Sequence, residues 1–323
     1  MFADSSRIAM LSFSGAPGDH LHINPALRQL RRQVKSLLMT AEWKGGIIKS
    51  LYEHSGLVDK FVWLDSKQME GWTEDQLRVY MLQETAGYEI TEYHNLNGII
   101  AGGFMHMPPF NRKPREARGR ISKKTFYDLY CDALGVPEAK GLRPKIKLGE
   151  ADRSWLRNYR TGLGIDKAIR LVGYQWSGSA KVKEIPYAFE IISKLLSNHN
   201  DIYIVAMGSE RFKEALIPEG RCANLAGLIK WRQAAILTQE MSLYIAPDTS
   251  IMVAAHCYKD VPKILLATTT SGEQIAFPET MIIQSTARCS PCYRITDTCD
   301  LDNCCEAFDV DEIVETADKI LKG

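Results

Sequence analysis

The chain has 323 residues, 45% of them hydrophobic and 24% charged, with a formal net charge of +1. These are the proportions of an ordinary globular protein of about two domains. The charge argues neither for nor against a polyanionic partner, so any basic footprint must be local. No run of about 18 apolar residues occurs, and no basic segment leads into a long apolar core, so neither a membrane span nor a signal peptide is expected. The expected compartment is the cytoplasm, where thiols stay reduced.

Arg7–Phe13 reads as a strand, followed by the loop SGAPGD and a helix over Pro25–Leu38. In that helix Ala26, Leu27, Leu30 and Val34 fall at helical spacing. Strand, glycine-bearing loop and helix form the usual opening of a nucleotide-binding α/β domain, although Gly15 and Gly18 do not make a GxGxxG fingerprint. Asp19 and His20 are placed in the loop, at the carboxyl end of the strand, where open α/β sheets hold ligands. Taken alone, Asp19 is equally well a helix-capping carboxylate.

A second helix is predicted over Lys44–His54 and a strand over Val58–Leu64. Ile99–Phe110 mixes apolar residues with Gly and Pro and suits a loop lining a cleft. Asn111–Lys124 carries seven basic residues against one acidic and reads as an exposed loop running into a Lys123–Leu134 helix. Such a run is either a solvated surface or a site for an anionic acceptor, a phosphorylated glycan or a nucleic acid. Phe126, Tyr127 and Tyr130 are the nearby stacking surfaces. Gly141–Lys147 reads as a strand or the start of an interdomain link, and the boundary is placed in the glycine-rich stretch 160–168.

The second half alternates more clearly. Strands are predicted at Ala168–Tyr174, Asp201–Met207, Leu243–Ala246 and Val261–Leu266, with a short one ending at Asn224–Gly227. Helices are predicted over Tyr187–Ser197, from Arg211, over Trp231–Gln239 and over Thr249–Cys257. This alternation argues a parallel sheet covered on both faces. Asp248, Thr249 and Ser250 are good N-cap residues, and a helix start there would point backbone N–H groups at an anion.

These segments carry a resemblance. Lys183–Glu184–Ile185–Pro186, Gly208–Ser209–Glu210, Asn224–Gly227 and Asp248–Thr249–Ser250 stand in the order of a Lys-x-Trp-Pro motif, a Gly-rich turn ending in Glu, an Asn-to-Gly turn and an Asp-Ser/Thr-Gly motif. Gly18–Asp19 and Pro25–Ala26–Leu27 add a Gly-Asp and a Pro-Ala-Leu in the first half. The ordered set resembles glycosyltransferase family 9, the ADP-heptose:lipopolysaccharide heptosyltransferase family. The resemblance implies an α/β fold of GT-B architecture, two Rossmann-like domains facing across a cleft. Residues 1–165 would be the acceptor-side domain, 166–308 the nucleotide-sugar domain and 309–323 a C-terminal helix.

The resemblance further implies inverting sugar transfer without a catalytic metal. The donor would be a nucleotide-diphosphate sugar, ADP-heptose by family default. The acceptor would be a lipopolysaccharide or other anionic glycan, with a protein or modified nucleic-acid base as the alternative. Asp19 takes the position of the base and Lys183 that of the phosphate-contacting lysine. Ser177, Gly178, Ser179, Gly208, Glu210, Gly227, Asp248, Thr249 and Ser250 line the implied donor site, and His20, Arg115 and Arg118 the acceptor side. Three positions depart from the pattern: Ile185 replaces the Trp, Ser250 the Gly, and Val253 a His five residues beyond the Asp. Val253 keeps open a degenerate relative serving as a scaffold. His256, nearly one turn further along, could face the same way.

Five of the eight cysteines crowd into residues 289–305. Cys289, Cys292, Cys299 and Cys304 are separated by two, six and four residues, with Cys305 beside the last as an alternative fourth ligand. Four thiolates at this spacing read as a closed, structural zinc or iron site, with disulfides or plain thiols as the alternatives. Val310–Leu321 is an amphipathic helix with acids in its first turn and lysines at its end.

Overall fold

Every strand pair among the described residues is parallel. Parallel neighbours need a crossover, usually a helix, so the sheets are flanked by helices by construction. The computed structural model describes residues 4–13, 15–42, 46–64, 72–96, 124–166, 168–178, 180–209, 220–293 and 303–323. Contacts divide the chain into two units, the change falling between Lys147 and Leu148. Among the described residues no helix is long and apolar enough to cross a membrane.

The first unit contains β1 (Asp4–Ser12), α1 (Pro17–Leu30), β2 (Val34–Glu42), α2 (Ile47–Tyr52), β3 (Lys60–Leu64), α3 (Glu74–Glu84), β4 (Glu92–Asn95) and α4 (Phe126–Ala133). Its strand order is β3-β2-β1-β4. The helix expected over Pro25–Leu38 is displaced. Pro17 opens α1, Pro25 lies inside it, and Val34 begins a strand. Pro is favourable at the start of a helix, and the Asp19 carboxylate accepts a bond from the Ala16 backbone N–H at 2.8 Å, so the start signal lies in the supposed loop. Asp19 and His20 are therefore in the first turn of α1 and not in a loop. Leu37, Leu38 and Met39 are fully buried because β2 sits between β1 and β3, a tertiary placement that overrides the helical spacing. Gly141–Lys147 forms neither strand nor helix.

The second unit contains α5 (Glu150–Gly162), β5 (Arg170–Tyr174), a 3₁₀ turn (Lys181–Lys183), α6 (Ala188–Asn198), β6 (Ile202–Ala206), β7 (Cys222–Asn224), α7 (Trp231–Leu237), β8 (Leu243–Pro247), α8 (Ser250–Ala255), β9 (Lys263–Ala267), α9 (Gly272–Ile275), β10 (Thr280–Gln284) and α10 (Val310–Lys322). Their order in the sheet is β10-β9-β8-β5-β6-β7. Period-two alternation sorts the core. Val172 and Tyr174, Ile202 and Ile204, Leu243 and Ile245, Ile264 and Leu266 pack with α6 and α10. The residues between them, such as Leu171, Tyr244 and Leu265, are also fully buried, so both faces are covered. The helix α10 is capped by Asp309, whose side chain accepts from the Asp311 N–H at 2.9 Å. It is pinned to α6 and the residue after it by Asp318, which bonds Asn198 at 2.9 Å and His199 at 2.8 Å.

Gly173 shows how tight the second face is. A Cβ there would lie 2.6 Å from Cδ2 of Tyr244, a fully buried ring with nowhere to move. Gly173→Ala should lower the unfolding free energy in urea by about 1–3 kcal/mol, the usual cost of overpacking.

Candidate functional site

In the second sheet, β5, β6 and β7 run outward in one direction and β8, β9 and β10 in the other. The order reverses between β5 and β8. Crossovers diverge at such a switch point, and open α/β sheets bind ligands there, outside the carboxyl ends of the strands. The loops leaving β5 and β8 carry the Lys183 and Asp248 motifs, separated widely in sequence and adjacent in space.

Lys183 ends the 3₁₀ turn with its side chain 8% exposed, against 12% for Asp248. Its Nζ donates to the Asp248 carbonyl at 2.9 Å and to Oδ2 at 3.1 Å. An ammonium has three N–H donors, so this geometry commits two and leaves a third for an incoming oxygen. Gly178 makes room for the lysine stem: a Cβ there would lie 2.9 Å from both Cβ and Cδ of Lys183.

Gln175, which the motifs did not single out, ties the two loops together a second time. Its Oε1 accepts from Tyr244 Oη at 2.8 Å and from Thr249 Oγ1 at 3.1 Å, and its Nε2 donates to the Ser177 carbonyl at 2.7 Å. The signal for it is a polar residue directly after a buried strand, which has meaning only once β8 is known to be the neighbour. Thr249 caps α8, its Oγ1 accepting from the Met252 N–H at 3.2 Å. The Ser250 hydroxyl accepts from Trp231 Nε1 at 2.8 Å and so fastens the start of α7.

Gly208 and Gly227 follow β6 and β7 on the same sheet edge and are joined by a bond from the Gly227 N–H to the Gly208 carbonyl at 3.1 Å. Gly227 has φ of +66°, a left-handed conformation that favours glycine. His256 does not stand in for the family histidine. It ends α8, at the opposite edge of the parallel sheet, where it packs on Phe277 and its Nε2 lies 3.3 Å from Thr280 Oγ1. Val253 is buried in the core. Ser179, Glu210, Arg115, Arg118 and the helix expected from Arg211 lie outside the described residues.

In the first unit, Asp19 is 8% exposed, with one carboxylate oxygen held by the Ala16 N–H. Gly15 lies against it: a Cβ there would come 2.5 Å from the Phe13 ring and 2.7 Å from Asp19 Cβ. Tyr130 is close enough that burial first, then the Asp19 charge, then Tyr52 raise its phenol well above the ordinary value. His20 is fully buried, packed edge-on against Phe13 and Tyr52, with Nδ1 3.1 Å from Tyr52 Oη. His20 is thus part of the packing of the first unit.

Cys289, Cys292, Cys304 and Cys305 are thiols and not disulfides. Cys304 is 1% exposed. A hydrogen bond with Cys292, then burial, then the neighbouring Cys292, Cys289 and Cys305 thiols push its own thiol far up. Among the described residues no group of three or more His, Cys, Asp or Glu is disposed to hold an ion. Cys299 lies outside those residues. Thiols as donors suit a soft, thiolate-preferring metal such as zinc or iron.

Removing one partner of a buried ion pair strands the other charge, at a cost of about 3–5 kcal/mol. Asp248→Ala should lower urea stability on that scale, and adding Lys183→Met should recover part of the loss.

No family model matches the sequence, and no curated protein does. Solved structures do. A glycosyl transferase family 9 protein from Veillonella parvula is 14% identical with a TM-score of 0.74, over 100% of this chain and 99% of its own. ADP-heptose lipopolysaccharide heptosyltransferase II of E. coli is 15% identical with a TM-score of 0.64, over 98% of each chain. The iron-containing dodecameric glycosyltransferase TibC of enterotoxigenic E. coli is 13% identical with a TM-score of 0.64, over 100% of this chain and 78% of its own. At such identities the likeness establishes the fold: two parallel α/β sheet units of the GT-B-like kind found in family 9 glycosyltransferases.

Proposed function

We propose that this chain is an inverting glycosyltransferase, moving a sugar from a nucleotide-diphosphate donor to an acceptor hydroxyl. The observation that carries the reading is the Lys183–Asp248 pair at the β5/β8 switch point, in a chain whose whole length follows the family 9 fold. Asp19 accepts the proton of the acceptor hydroxyl as that oxygen bonds to the anomeric carbon. The bond from that carbon to the donor diphosphate breaks on the opposite side, which inverts the configuration. The departing diphosphate gains charge, which the Lys183 ammonium and the N–H groups of the Asp248–Ser250 turn stabilise. Gly208 and Gly227 let the chain pass close to the nucleotide at the same sheet edge.

ADP-heptose is the first donor to try, because TibC was crystallised with ADP-D-beta-D-heptose and the E. coli heptosyltransferase WaaC with ADP-2-deoxy-2-fluoro heptose. An anionic glycan, lipopolysaccharide included, is the proposed acceptor. Cys289, Cys292, Cys299 and Cys304, or Cys305 as the last, would hold one zinc or iron ion. When bound, the ion crosslinks the chain and takes no part in sugar transfer.

Thermal stability of the full chain should rise with one member of a nucleotide-sugar panel, since a ligand of the folded state stabilises it. With that donor, Asp19→Asn should lower kcat by about 10²–10⁴-fold and leave donor affinity within about twofold. No shift with any nucleotide sugar contradicts the reading, and donor binding without transfer by wild type marks a scaffold instead. Elemental analysis should find about one zinc or iron per chain, and Cys289→Ser/Cys292→Ser should lose the metal and melt lower. Metal-free wild type of unchanged stability removes the metal.

A further inference from the structure

The cysteine segment touches the turn that carries Lys183. Cys304 Sγ lies 4.0 Å from the Val182 carbonyl oxygen, and both residues are buried. Val182 is the middle residue of the 3₁₀ turn that Lys183 ends. A second tether follows two residues past Cys304, where Tyr187 Oη donates to the Glu306 carbonyl at 2.8 Å. Between those tethers the loop is closed on itself by a bond from the Ile185 N–H to the Trp176 carbonyl at 2.6 Å.

The other end of the cysteine segment is nailed to the loop after β9. Ser290 Oγ donates to the Thr268 carbonyl at 2.6 Å and accepts from Gln284 Nε2 at 2.7 Å. The Tyr293 N–H donates to the Thr269 carbonyl at 2.7 Å, and Tyr293 Oη to Gln274 Oε1 at 2.7 Å. Two pieces of the segment are thus anchored: 289–293 on the β9 side, and 304–306 on the Lys183 turn. The Cys292 thiol is near enough to Cys304 to help push the Cys304 thiol up.

We infer that Cys304 is a positioning residue for Lys183: the thiol cluster braces the Lys181–Lys183 turn so that the ammonium is held at Asp248 and ready for a nucleoside diphosphate. This rests on the proposed donor site, and it extends that proposal by linking nucleotide affinity to the intactness of a cluster that touches no substrate. A 3₁₀ turn has few bonds of its own, so an external brace decides where its last side chain points. Cys304 would act only through Lys183, which makes the two positions energetically coupled.

The test is a double-mutant cycle on the full chain, titrating ADP and UDP by calorimetry and following whichever binds wild type more tightly. Cys304→Ser should raise Kd about fivefold in the wild-type background and less than about twofold in a Lys183→Met background. Tyr187→Phe removes the other tether without altering a thiol. It should show the same pattern at about threefold, and it decides the case if Cys304→Ser does not fold. Equal losses in both backgrounds, or an unchanged Kd in folded variants with wild-type Lys183, overturn the inference and leave the donor site standing. Binding of neither nucleotide by wild type overturns the donor site itself, and the inference with it.

Discussion

An ammonium and a carboxylate, taken almost wholly out of water, tie together two loops of the second unit where its strand order reverses. At the β5/β8 boundary the crossovers leave in opposite directions, so the loops there are free to part, and something must fix their spacing. Lys183 and Asp248 do this with two bonds from one nitrogen, at 2.9 and 3.1 Å. Burying both charges costs desolvation, so the pair is poor evidence for stability as such. Its geometry is better explained by what it holds in readiness: a fixed cation at the carboxyl edge of a parallel sheet. Gln175 repeats the tie with neutral groups, bonding Tyr244, Thr249 and Ser177.

The first unit treats its carboxylate differently. Asp19 faces a backbone N–H, and the lack of a side chain at Gly15 is what lets the strand-to-helix turn close over it. One acid is thus engaged with an ammonium and the other with the start of a helix. The proposed chemistry asks for this division, one group to keep a phosphate-binding cation in place and one to receive a proton. The N-cap-type bond to Ala16 is also an ordinary helix device, so the orientation of Asp19 comes from the same bond that starts α1.

Much of the second unit is legible in the sequence, because its strands are unbroken apolar runs such as LYIA and IYIVA, each bounded by turn residues and followed by a helical pattern. The first unit is less so. Ala16–Asp19 carries both loop and helix-start chemistry, and only the position of β1 decides between them. Val34 fits a helical repeat by coincidence, since β2 owes its existence to β1 and β3. The helix α5 escapes notice because Tyr159 is its only buried residue and its remaining side chains are largely polar. For the candidate site, Lys183, Asp248, Gly208 and Gly227 are readable from motif order, but Gln175 is not. Its role depends on which strand lies beside β5, and a one-dimensional pattern does not specify that. His256 shows the converse, a plausible spacing that the parallel sheet sends to the wrong edge.

The cysteine segment connects these levels: short-range spacing suggests the cluster, while tertiary bonds tie Cys304 to Val182 of the Lys183 turn and Ser290 and Tyr293 to Thr268 and Thr269 after β9. In the proposed function the Lys183 turn and the Asp248 loop form a diphosphate-binding floor. A crystal structure of the full chain with ADP tests it most directly. A β-phosphate oxygen is expected within about 3 Å of Lys183 Nζ, with the bond from Lys183 to Asp248 retained. Nucleotide bound away from the β5/β8 loops, or seated there with Lys183 more than about 5 Å from any phosphate oxygen, would contradict it.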